Sequence, residues 1–140
     1  MKDQMNHLYP KRVISPVSVA DTTAQVGQII DRAGFDSLTY VIATGSIADA
    51  DATFTVLLEE GDVSNMSDAA AVADADLIGT EVLAAFQFDD DNECRKLGYK
   101  GNKRYTRLTI TPVGNASAAV LCAVAILGNP MQSPTANPPA

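Results

Sequence analysis

A chain of 140 residues that is 46% apolar can bury a core of its own as one domain, and its apolar runs are too short to cross a membrane. The net charge of −7 argues against nonspecific nucleic-acid binding, which needs a basic surface to meet phosphates. Tryptophan is absent, and Ala, Val and Thr carry much of the apolar content, a balance that favours sheet over a helix bundle.

Residues 1–12 are polar and lack an apolar segment of the secretory kind, so export is not expected and the segment reads as an N-terminal arm. "RVISPVSV" is a weak strand candidate in which Pro16 predicts a sheet edge or a bulge, because proline cannot donate to a ladder. "QVGQIID" is equally weak. "SLTYVIATG" alternates clearly and sets Leu38, Tyr40 and Ile42 on one face. "TFTVLLEEGD" does the same with Phe54, Val56 and Leu58. In "NMSDAAAVADADLIG", Ser67 predicts the cap of a short helical turn through Val72, with Asp68 favourable in its first turn. "TEVLAAFQF" reads as a strand with Val82, Ala84, Phe86 and Phe88 on one side. Gly101-Asn102 in "LGYKGNKRY" fits a two-residue hairpin turn, joining a strand near 93–99 to "KRYTRLTITP".

"ASAAVLCAVAILG" is apolar on both faces, as a strand central to a sandwich or covered by a second subunit would be. Ala123 and Ala125 are small enough to admit another backbone, so one face of this strand is expected at a subunit contact. The last twelve residues hold four of the seven prolines and read as an extended arm of roughly 40 Å. About eight short strands with polar connections predict an all-β protein, an antiparallel β-sandwich of the jelly-roll type. Its parts are an arm at 1–12, a sandwich at 13–128 and a Pro-rich arm at 129–140.

Charge is segregated along the chain. Between Ala33 and Cys94 there are fourteen acids and no Lys or Arg, and 95–107 then holds six cations and no acid. Such segregation fits opposite charges on neighbouring strands of one sheet, or a basic face on which those six, Arg95, Lys96, Lys100, Lys103, Arg104 and Arg107, are candidate contacts for an acidic partner surface. The acidic run Asp89, Asp90, Asp91 and Glu93 has the wrong spacing for a calcium loop: counting from Asp89, the sixth residue is Cys94 and the twelfth Lys100. A solvated turn is expected there, with no metal and no cofactor. The single histidine, His7, lies in the N-terminal arm, a poor place for a preorganised base, and no nucleophile or phosphate-loop motif is present. The chain is therefore not expected to be an enzyme. Cys94 and Cys122 have neither CxxC spacing nor a histidine nearby and are expected as reduced, small apolar side chains, with a disulfide as the less favoured alternative.

The stretches "GFDSLTYVIATG…ADADATFTVLLEEGD", "DAAAVADADLIGTE", "FDDDNE", "LGYKGNKRYTRLTITP" and "GNASAAV" together resemble a family of small tailed-bacteriophage head proteins. These are capsid cement, or decoration, proteins, and the likeness is to the Bordetella phage type over roughly residues 34–128. The resemblance implies a jelly-roll homodimer on the outer surface of the virion, bound to an HK97-type major capsid protein and holding capsomers together. It implies no catalytic residues. A β-sandwich binding module of a virion-attachment or carbohydrate-binding type is the alternative, although Tyr9, Tyr40, Tyr99 and Tyr105 are too scattered to suggest an aromatic platform.

Overall fold

Alternating residues build two antiparallel sheets that face each other. The computed structural model describes residues 2–140, and among them eleven strands, one α-helical turn and two 3-10 turns (Met5–His7 and Asp74–Asp76) form the fold. The strands are β1 (Tyr9–Val19), β2 (Gln25–Val26), β3 (Ile30–Asp31), β4 (Phe35–Ile47), β5 (Thr53–Gly61) and β6 (Ala70–Ala71). They continue with β7 (Leu77–Ile78), β8 (Phe86–Gln87), β9 (Cys94–Tyr99), β10 (Tyr105–Val113) and β11 (Ala119–Pro130), while α1 spans Glu81–Ala84. One sheet has the order β1-β11-β4-β9-β7; the other runs β2-β10-β5-β6, with β3 on β10 and β8 on β5.

The connectivity is that of one long hairpin rolled on itself. β1 pairs with β11, β2 and β3 with β10, β4 with β9, and β5 with β6. Rolling then brings β11 beside β4 and β10 beside β5. This is a jelly roll, as the strand rhythm predicts. The core is its filling: Leu38, Tyr40 and Ile42 from β4 meet Phe54 and Leu58 from β5, each at most 2% exposed. A hydrogen bond of 2.7 Å between the Tyr40 hydroxyl and Thr106 Oγ1 ties one sheet to the other inside this core. Burial pushes the Tyr40 hydroxyl well above its ordinary pKa, so it stays a neutral partner. Pro16 sits where expected, on edge strand β1 at a register shift between Ile14 and Val17.

Four expectations need correction. The stretch 81–88 is not a strand throughout: Thr80 caps α1 by accepting the Leu83 N–H at 3.1 Å, and this turn leaves Val82 83% exposed. Only Phe86 and Gln87 continue as strand, with Phe86 stacked on Phe54 at 4.6 Å. The turn expected from Ser67 to Val72 does not form. Asp68 instead closes the loop by accepting the N–H groups of Asp62 and Val63, and Ala70–Ala71 pair with β5. Nor is Gly101-Asn102 a hairpin turn, because β9 and β10 belong to different sheets. The segment between them crosses the end of the sandwich, and a Cβ at Gly101 would lie 2.5 Å from the Tyr99 hydroxyl. Glycine is needed there for close approach.

The fourth correction concerns the ends. Residues 9–12 belong to β1, and Asn129 and Pro130 to β11. The remaining tail lies against the domain's own N-terminal segment: Thr135 donates its N–H to Asn6 O at 2.9 Å and its hydroxyl to Leu8 O at 2.5 Å. The Ala140 N–H reaches the Tyr9 hydroxyl at 2.8 Å. Removal of residues 131–140 should therefore lower stability by roughly 1–3 kcal/mol, a few net hydrogen bonds at about 0.5–1.5 kcal/mol each. A thermal melt unchanged by the truncation would show that these contacts contribute nothing.

Candidate functional site

The six cations of 95–107 do not form a free basic patch. Arg95 closes on Asp90 at 2.7 Å and on Glu93 at 2.8 Å. Lys103 pairs with Asp62, Arg104 grips Asp31 with both Nε and Nη2, and Arg107 pairs with Glu59. Opposite charges thus meet across the fold, which is how a chain so segregated in sequence becomes locally neutral. The Arg104 bond holds the Asp31 carboxyl below its ordinary 3.8, so any stability from this pair is fully present above about pH 4 and is lost as pH falls through the depressed value. The pair stays closed at neutral pH. Among the described residues, Lys96 and Lys100 are the two members of the six without an ion pair.

The acidic run folds as a turn whose carboxylates are taken up by Gln87, Ile47 and Arg95. Asp89 accepts from the Gln87 side chain, Asp90 from the Gln87 N–H, and Asp91 from the Ile47 N–H at 2.8 Å. Thr44 completes the anchorage, donating its hydroxyl to Asp90 O and accepting the Glu93 N–H. Among the described residues no three His, Cys, Asp or Glu side chains converge on one point. A chelator should accordingly leave the melting midpoint unchanged; a large downward shift would reveal a structural metal.

The two outer sheet faces differ in charge. On the β5–β10 side, Thr55, Thr109, Thr111 and the Glu59–Arg107 pair are interspersed with the exposed Leu57, Val113 and Val26. On the β1-β11-β4-β9 side the register sets Arg12, Val124, Val41 and Lys96 in one row. The next row on one side is Pro10, Ile126, Thr39 and Gly98, and on the other Cys122, Ala43 and Cys94. Val124 is 37% exposed here, whereas Ala123 and Ala125 point into the core. The expectation of close approach through those alanines is thus corrected: they pack beneath the sheet, and the valine side of β11 is the open one. Beside β9 this face runs into a groove of about 460 Å³, rimmed by the exposed Ile78 and Leu83.

Cys94 and Cys122 are both free and sit on either side of Ala43. Two strand spacings separate them, roughly 10 Å, beyond disulfide reach. The tyrosines form no shared surface: Tyr40 and Tyr99 are buried, and Tyr9 packs on Phe35 at 5.3 Å. Sequence pattern alone pointed to this region through the two-faced strand Val120–Leu127 and through Lys96 of the basic segment. Arg12 and Val41 join it through register, which no local motif reveals.

These features define a class of protein, an antiparallel jelly roll with one outer sheet face that carries an acid–base pair and one that carries no carboxylate. No family model matches the chain, and no curated protein matches it in sequence. Among solved structures it is similar to the SPBc2 prophage-derived protein YomS, at 13% identity and a TM-score of 0.44, covering 84% of this chain and 94% of that one. It is also similar to part of the Clostridium thermocellum xylanase 10B CBM22-1–GH10 modules (12% identity, TM-score 0.46), covering 95% of this chain and 28% of that one. A third likeness, to latent PorU from Porphyromonas gingivalis, has 10% identity and a TM-score of 0.44, covering 87% of this chain and 12% of that one. All three are distant, and no functional assignment rests on them.

Proposed function

We propose that this is a structural virion protein, a capsid cement protein that binds the outside of a phage shell and stabilises contacts between capsomers. The supporting observation is the agreement of resemblance with architecture. The resembling stretches supply β5 in full, nearly all of β4 and β10 and half of β9, and the chain nests as the jelly roll that the resemblance implies. A sandwich with one outer face free of carboxylates suits a part that works by contact rather than by turnover. In this reading the partner is the major capsid protein, and the cement acts as a homodimer on the outer surface of the head.

The test is add-back to heads assembled without the protein. Heads carrying it should sediment with it bound and release their DNA at a higher temperature than bare heads. Failure to co-sediment, together with an unchanged release temperature, would overturn the proposal.

A further inference from the structure

Of sixteen outward positions on β1, β11, β4 and β9, from Pro10 to Gly128, none carries a carboxylate, although the chain as a whole is at −7. Two cations, Arg12 and Lys96, stand at opposite margins of the row whose centre is Val124 and Val41. Three strand spacings separate them, roughly 14 Å. Arg12 reaches only the Ser15 hydroxyl at 2.9 Å, and among the described residues neither cation has an ion-pair partner. We propose that this face docks on a different protein, through a surface that is apolar at its centre and bears carboxylates opposite Arg12 and Lys96. That protein's identity as the capsid shell rests on the reading above; the chemistry of the contact rests on the face itself.

A second copy does not fit. Laid face to face so that the same strands overlap, its outward positions bring no carboxylate to either cation, so each meets a like charge or loses water over apolar side chains. The area is small for a single stable contact with any partner. Val120 to Ile126 spans about 20 Å, which with a width of roughly 14 Å gives a footprint of about 300 Å². A stable complex buries about 800 Å² per partner. A patch of this size suits a contact repeated many times over a lattice, where each copy is also held by other surfaces. Any contact between copies of this chain therefore lies elsewhere on the molecule.

The two cysteines of the chain, Cys94 and Cys122, both lie on this face and report whether it is covered. In free protein, maleimide should label both at rates independent of protein concentration, and Val124→Asp should leave the sedimentation-equilibrium mass unchanged. On heads, both thiols should be protected. Arg12→Glu and Lys96→Glu should each weaken attachment to heads by about tenfold or more, while Thr109→Glu on the β5–β10 face should not. Protein that binds heads with both thiols still reactive would overturn the assignment of the face and leave the capsid reading standing. Thiol protection that grows with protein concentration and is abolished by Val124→Asp would overturn it in favour of a second copy. Protein that fails to bind heads at all would remove the capsid reading and the proposed partner together.

Discussion

Ala125→Asp should unfold the protein, and Val124→Asp, one residue away, should leave it folded. Ala125 is fully buried, between Tyr40 and Lys11 in register, and the Lys11 ammonium lies over the Tyr9 ring, 5.6 Å from its centroid. Placing an unpaired charge there costs several kcal/mol or forces the group to remain protonated. A domain of this size has only about 5–15 kcal/mol in total, so most of its stability is lost. Val124 points the other way, and a carboxylate there stays in water between Arg12 and Val41. Urea unfolding of the two variants checks the pair. Equal destabilisation would mean that β11 is buried on both sides of the isolated chain, contrary to the face described above.

The strand thus shows what sequence can and cannot convey. Its length and two-faced apolar character were legible, because Val120–Leu127 holds no charge to break the run. Which face opens to solvent was not, since valine and alanine alternate without a polar marker and only the neighbouring strands decide. β4 and β5 were legible for the opposite reason: Thr39 against Tyr40, or Thr55 against Phe54, announces which side is wet. The stretch 81–88 misled because its apolar residues alternate while Thr80 supplies a cap, and the cap prevailed over the pattern. Opposite charges on neighbouring strands were legible as a pattern and are found for Arg107 and Glu59, but the individual partners of the basic segment were hidden by distance. Asp31, Glu59 and Asp62, which neutralise Arg104, Arg107 and Lys103, lie more than 40 positions earlier in the chain.

Tyr99→Ala should cost on the order of 3–5 kcal/mol, in the range for deleting a buried aromatic side chain. The ring is 1% exposed and lies beneath the Arg32 guanidinium at 4.7 Å. Its hydroxyl donates to Glu60 and accepts the Lys103 N–H at 3.0 Å, fixing the segment that crosses from β9 to β10. Arg32 holds the same segment from the other side, donating to Gly101 O and Lys103 O at 3.0 Å. Tyr99→Phe isolates the hydroxyl and should cost less, about 1–3 kcal/mol for the groups left without a partner. Burial, and then the bond to Glu60, raise the hydroxyl's pKa, so it remains a donor at neutral pH. Thermal or urea melts of both variants provide the check. If Tyr99→Ala lowered stability by less than 1 kcal/mol, the crossing would not be locked in this way, and a mobile turn at Gly101-Asn102 would be the better description.

The central claim is that a jelly roll with one apolar, carboxylate-free sheet face works as cement on a capsid. Electron cryomicroscopy of purified heads, with and without the protein, tests it most directly. The account predicts ordered copies on the outside of the shell, at or near its symmetry axes, with the row from Arg12 to Lys96 turned towards carboxylates of the capsid protein. Density on a tail fibre instead, or ordered copies on the shell with that face open to solvent, would contradict it.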